Sequence, residues 1–247
     1  MSVLIITSTV NVNSCLTVLV NPKIRLEQYV NSILFYLNSK KIDKLIVCDN
    51  SSFDYSAIEV INKLAVKNNK KIEFLNFNGS ANKIQEFGKG YGEGEIMSFI
   101  FMNSELIRQE EFSFLKVTGR LKVLNIDSIL NFCEPNINYY QPTSLNPFIK
   151  SDKIDTRFYQ CNKLMFNEFL KDRFQYVNDI DGIYLEHVYY NRLIDAKIRF
   201  ENFRILPYFI GISGSTGDSY KISDFKFLRN RFIFFIYKYF NKLNLIN

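Results

Sequence analysis

The chain opens on an apolar, β-branched run from Val3 to Val10. Polar residues follow, and then Ile24 to Leu34, where apolar side chains recur at helical spacing. This pattern predicts strand, loop and helix. A second apolar run, Lys44 to Cys48, ends at the polar cluster Asp49-Asn50-Ser51-Ser52, which stops a buried strand. Ala57 to Lys67 then predicts a helix and Lys71 to Asn76 a third strand. Strands alternating with helices in this way form a βαβαβ unit, because parallel strands need crossover helices. Ligands of such sheets sit beyond the carboxyl ends of the strands. Position alone therefore makes Thr7, Ser8, Thr9, Asp49 and Asn50 site candidates.

Gly88-Lys89-Gly90-Tyr91-Gly92-Glu93-Gly94 opens a helical pattern that runs through Met97, Ile100, Phe101 and Leu106. Phe112 to Val117 predicts a strand ending at Thr118-Gly119-Arg120. Further strands are expected near Tyr139 and Phe158, with a helix from Lys163 to Phe169 and another beginning near Asp181-Gly182. No internal repeat or linker-like stretch divides the chain. The expectation is one α/β domain over residues 1–220, followed by a basic, aromatic C-terminal helix over 221–247.

At 247 residues the chain is long enough to bury a substantial core, and 47% apolar with 23% charged residues excludes a wholly disordered protein. Cys15, Cys48, Cys133 and Cys161 form no CxxC pair or metal-ligand cluster, which fits a reducing compartment. The apolar run at Val3 is not preceded by a positive leader, and no apolar stretch approaches the ~20 residues of a spanning helix. A cytoplasmic protein is expected. Of the net charge of +6, +5 lies between Lys221 and Asn247. A nearly neutral body argues against nucleic acid binding along the surface and for a local basic attachment site. The segment 225–245 is too charged to span a bilayer. It suits an anionic membrane interface or packing on the body.

Three segments carry candidate chemistry. Glycines let a backbone approach a ligand closely, and a helix N-terminus offers N–H groups to an anion, which points Lys89 and Gly90 at a diphosphate or a sugar. The alternative is a flexible glycine-rich connection. Lys116, Thr118 and Arg120 share one side of an extended segment, where they would converge on phosphate oxygens or form a solvated basic strand end. The stretch from Asn178 to His187 gathers three carboxylates near a helix start. Asp181 or Glu186 is a candidate general base, and Asp179 with Asp181 a candidate holder of Mn or Mg, with helix capping accounting for one of the acids. The lone histidine, His187, sits amid aromatics and reads as a packing residue. The small, polar segment from Gly211 to Tyr220 reads as a closing loop or a linker.

The polar turn after the first strand, the run Val47-Cys48-Asp49-Asn50-Ser51-Ser52 and the glycine-rich helix start resemble the nucleotide-binding half of GT-A glycosyltransferases. The Lys-x-Gly-x-Gly-x-Gly and Lys-x-Thr-Gly-Arg segments are similar to those of bacterial capsule, O-antigen and lipooligosaccharide transferases. The resemblance implies a GT-A-like, Rossmann-related mixed sheet flanked by helices. It also implies a nucleotide-sugar donor whose base meets Asp49, and a lipid-linked saccharide acceptor at the inner face of the cell membrane. Where metal-dependent members carry Asp-x-Asp, this chain has Lys116-Val117-Thr118-Gly119-Arg120, which looks like the basic substitution of members that need no cofactor. Two other readings share these features: a non-catalytic docking module of a polysaccharide-assembly complex, and another nucleotide-sugar enzyme such as a nucleotidyltransferase. Docking alone does not need Lys116, Arg120 and the late carboxylates together.

Overall fold

The computed structural model describes residues 2–12, 17–146, 151–212, 217–220 and 223–244. Its elements run β1 (Ser2–Ser8), α1 (Pro22–Leu37), β2 (Ile42–Asp49), α2 (Glu59–Lys67), β3 (Lys71–Asn76), α3 (Ala81–Phe87) and α4 (Lys89–Asn103). Then come α5 (Glu105–Arg108), β4 (Ser113–Thr118), β5 (Lys122–Val123), α6 (Ile126–Leu130), β6 (Tyr139–Pro142), β7 (Ile154–Asn162) and α7 (Lys163–Met165). The chain ends with α8 (Leu185–Asp195), β8 (Glu201–Asn202), β9 (Phe209–Ile210) and α9 (Asp224–Asn244).

The main sheet has seven strands in the order β3-β2-β1-β4-β7-β6-β8. β3, β2, β1 and β4 are parallel, as their helical crossovers require, while β7 joins β4 antiparallel. The expected mixed α/β sheet flanked by helices is present, and its first four strands have the order of a Rossmann-type half. Central strands buried on both faces read as continuous apolar runs, and Leu45, Ile46, Val47 and Cys48 of β2 are fully buried. One core layer sets Tyr29, Ile33, Tyr36 and Leu37 of α1 and Ile61 of α2 against Leu4, Ile6 and Val117. The opposite layer sets Ile96, Met97 and Ile100 of α4 and Leu185 and Tyr189 of α8 against Ile5, Phe114 and Tyr159.

β3 has the bounds its sequence pattern predicts, and α1 begins where Pro22 and the Asn21 cap allow, the Asn21 side chain accepting from the N–H groups of Lys23 and Ile24. The glycine run opens a helix as expected: Gly88 caps α4 and the run forms its first two turns, not the flexible connection of the alternative. Two expectations are corrected. The helix foreseen from Lys163 is the short α7, which passes into a π-helical turn at Phe166–Leu170. Asp181-Gly182 is a tight turn, with Gly182 at φ +79°, held by paired 2.8 Å backbone bonds between Asn178 and Ile183, so α8 starts only at Leu185. No described helix is long and apolar enough to cross a membrane. The described cysteines, Cys48, Cys133 and Cys161, are free thiols; Cys15 lies outside the described residues.

Candidate active site

A cavity of about 710 Å³ lies at the carboxyl ends of β1, β2 and β4, the volume of a cleft that holds a nucleotide-sized ligand. Thr7, Ser8, Thr9, Asn50, Ser51, Thr118 and Arg120 reach it from the strand ends. Lys89, Gly90 and Glu93 come from α4, Arg25 and Tyr29 from α1, and Thr156, Asp179 and Glu186 from the far side. The structure thus brings together most of the residues singled out in the sequence. Asp49, Lys116 and Asp181 are the exceptions.

Asp49 is fully buried and does not line the cavity. Its Oδ2 accepts from the Ser8 hydroxyl at 2.6 Å and the Val10 N–H at 3.0 Å, and its Oδ1 from the Ser51 N–H and hydroxyl and the Phe53 N–H. Five donors saturate the carboxylate, so it braces the ends of β1 and β2 and is withdrawn from the nucleoside contact expected of it. Ser8 is committed too, sharing a 2.6 Å bond with the Tyr55 hydroxyl. Asn50, one residue on, lies at the surface of the cavity, with its amide oxygen accepting from Thr9 Oγ1 at 2.6 Å.

Arg120 is carried to the cavity by Gly119. A Cβ at Gly119 would stand 2.2 Å from the Thr7 carbonyl, so only glycine lets the chain leaving β4 lie this close to the end of its parallel neighbour β1. This close approach is to the protein's own backbone. Arg120 then lies beside Gln28 Oε1 at 3.3 Å and the Tyr29 ring, only 8% exposed. Arg25, 4% exposed, faces the same ring, donating to the Thr9 and Leu19 carbonyls and the Tyr29 hydroxyl. Burial, and then the neighbouring Arg25 charge, hold the Arg120 guanidinium below its ordinary pKa, opposed by Tyr29. Among the described residues no carboxylate pairs with either arginine. Arg25 had a sequence signal: with Tyr29 and Ile33 it falls on the buried stripe of its helix, where a charge demands a reason.

Lys116 does share a side with Thr118, its Nζ donating to Thr118 Oγ1 at 3.1 Å, but it is buried under the cavity rather than facing it. Its ammonium lies against Glu93 Oε1 and donates to the Thr156 carbonyl at 2.8 Å. Burial pushes its pKa down to about 7, against the pull of Glu186 and Asp155. Lys116 therefore positions Glu93, which the sequence reading overlooked, and does not reach a phosphate. Arg157 was also overlooked. It lines the cavity in a two-pronged pair with Asp155 and stacks on Phe209 and Tyr220.

The late carboxylates separate. Glu186, second residue of α8, faces the cavity with Oε1 accepting from Thr156 Oγ1 at 2.9 Å. Asp179 Oδ2 accepts from the Gly90 N–H at 2.9 Å, so the N-terminus of α4 is answered by a side chain of the protein itself. Burial raises the Asp179 carboxyl above its usual pKa, against the Gly90 bond and the Lys89 charge. Asp181 is exposed outside the cavity, accepting from the Asn178 amide at 2.6 Å within its turn. It is therefore removed from the candidate bases. Of the pair Asp179 and Asp181, only Asp179 lines the cavity, and among the described residues there is no group of three or more His, Cys, Asp or Glu that could hold a metal ion. His187 serves packing and capping, stacked on Tyr184 and accepting the Tyr184 N–H at 3.3 Å. Of the loop from Gly211 to Tyr220, residues 213–216 lie outside the described residues, while Ile212 and Tyr220 line the cavity.

No protein-family model matches the chain, and no curated protein matches it. Among solved structures, that of a CMP:2-keto-3-deoxy-manno-octonic acid synthetase complexed with CTP is similar with a TM-score of 0.40. It is 9% identical, and the match covers 82% of this chain and 89% of that one.

Proposed function

We propose that this protein is a glycosyltransferase, moving a sugar from a nucleotide-sugar donor to a hydroxyl of a saccharide acceptor in surface-glycan synthesis, the acceptor being lipid-linked. The observation that carries the reading is the pair of buried guanidiniums, Arg25 and Arg120, facing one tyrosine in the cavity with no carboxylate among the described residues to neutralise them. Burying two unpaired like charges is costly, and an anionic ligand of two or more charges offsets that cost. A diphosphate has the required charge and the oxygens to accept from both forks. The nucleoside then lies along Thr9, Asn50 and Ser51, the diphosphate against Arg25, Arg120 and Lys89, and the sugar toward Thr118, Glu93 and Glu186.

In the reaction, the acceptor oxygen forms a bond to the anomeric carbon as the bond from that carbon to the phosphate oxygen breaks. The acceptor's proton passes to Glu186, whose Oε1 is held by Thr156. The electron pair leaves with the nucleotide, and the two guanidiniums stabilise the charge that develops there. A single displacement of this kind inverts the anomeric centre.

Isothermal titration against UDP-, GDP-, CMP- and dTDP-sugars, with and without manganese, tests the reading. Binding of at least one donor is expected, and binding of none overturns it. Product analysis then separates two chemistries. Transfer of the sugar with release of a nucleotide supports the proposal, whereas release of pyrophosphate from a nucleoside triphosphate and a free sugar replaces it with nucleotidyl transfer.

A further inference from the structure

A second cavity, of about 500 Å³, lies between α9 and the segment Arg204 to Leu206. Its lining combines Ile205, Leu206, Phe234 and Phe235 with Arg204, Arg231 and Lys238, and holds no acid among the described residues. Arg204 and Arg231 are exposed, and neither pairs with a carboxylate among the described residues. An apolar cleft edged by cations matches a ligand with one apolar and one anionic end.

The helix that forms this cleft has two apolar faces. Phe227 stacks on Tyr208 at 4.0 Å, and Phe234 and Tyr237 are buried, so one face docks α9 on the body. Phe225, Leu228, Phe232 and Phe235 are 80%, 58%, 66% and 70% exposed. They recur every three or four residues and so form a single stripe on the opposite side. Docking on the body therefore leaves a full apolar stripe in solvent, with Arg229 and Arg231 beside it. Phe235 belongs to both the stripe and the cleft, which makes the two surfaces continuous.

We infer that α9 lies on an anionic membrane surface, its apolar stripe in the headgroup region, and that the adjoining cleft takes one anionic phospholipid, acyl chain against Phe234 and Phe235 and phosphate against Arg204 and Arg231. Bulk apolar burial and attraction to anionic headgroups act together in such an interface, and neither is strong alone. This surface is separate from the strand-end cavity, and its test does not require a sugar donor.

The test is co-sedimentation of the full-length protein with vesicles of phosphatidylcholine alone or mixed with phosphatidylglycerol. Sedimentation with the mixed vesicles and at least ten-fold less with neutral ones is expected. The double variant Arg204→Gln/Arg231→Gln should lose at least ten-fold in binding. Leu228→Ser/Phe232→Ser, which removes the middle of the stripe, should bring a similar loss. Circular dichroism melts matching wild type show that these exposed substitutions leave α9 folded on the body. Inorganic phosphate at millimolar concentration should not displace the protein, because a free anion supplies no acyl chain. Equal binding to neutral vesicles, full displacement by phosphate, sedimentation without vesicles, or undiminished binding of the arginine variant would each overturn the inference.

Discussion

At the scale of single residues, the two arginines are not equivalent. The Arg120 guanidinium rests on Gln28 and Tyr29, so Arg120→Ala should remove the proposed diphosphate contact with little loss of structure. Charge-assisted hydrogen bonds contribute about 1.5–3 kcal/mol, so donor affinity should fall by roughly ten- to a hundred-fold in calorimetry. An unchanged affinity would take Arg120 out of the diphosphate site. Arg25 also ties Thr9 and Leu19 to α1, so Arg25→Ala should lower both affinity and thermal stability. For the base, Glu186→Gln should reduce kcat by about 10²–10⁴ while leaving donor Kd unchanged, and Asp181→Asn should change neither. If Glu186→Gln keeps its rate and Asp179→Asn loses it, the base is Asp179. Asp49 and Lys116 show where sequence reading stops at this scale. Their place at strand ends was legible, but strand position and alternation do not say whether neighbouring donors and acceptors already occupy a side chain.

At the scale of elements, α4 is the part most easily misread. Glycine at alternate positions has the composition of a loop, and no local propensity favours a helix there. Glycine is required there because a side chain would meet a packed neighbour, Asp179 at Gly88 and Gly90, Ile84 at Gly92 and Phe174 at Gly94. A Cβ on Gly90 would stand 2.8 Å from Asp179 Oδ1, and one on Gly94 would stand 2.1 Å from the Phe174 Cβ. These contacts join segments some eighty residues apart, which a local pattern does not contain. Gly94→Ala should therefore push α4 off the turn at Phe174 at a cost of about 1–3 kcal/mol, lowering Tm by about 2–4 °C per kcal/mol. It should also weaken donor binding, because α4 carries Lys89 and Glu93 into the cavity. Gly182→Ala meets nothing within 4 Å and bears only the strain of φ +79°, about 1 kcal/mol. Equal losses of donor affinity in the two variants would separate α4 packing from the site.

At the scale of the whole molecule, the parallel half was legible because each βα repeat is local, whereas the sheet order of β7, β6 and β8 depends on long-range pairing. Lys116 sits where these halves meet, in β4 between parallel β1 and antiparallel β7. Its pKa is pushed from the ordinary 10.5 down to about 7 in the folded protein, so it links the stability of the molecule to pH. Below about pH 7 both folded and unfolded chains hold the proton, and the cost of burying the charge is felt in full. Between about 7 and 10.5 the unfolded chain still holds a proton that the native state has released, so the Lys116 contribution to stability rises with pH across that window. Lys116→Met has no such proton to release. Urea denaturation at about pH 6, 7.5 and 9 should show the wild-type midpoint climbing relative to that of Lys116→Met, and the difference should be flat below about pH 6. Parallel midpoints over the whole range would mean that Lys116 keeps its charge against Glu93 in the native state, and that the join between the two halves of the sheet is an ion pair at every pH tested.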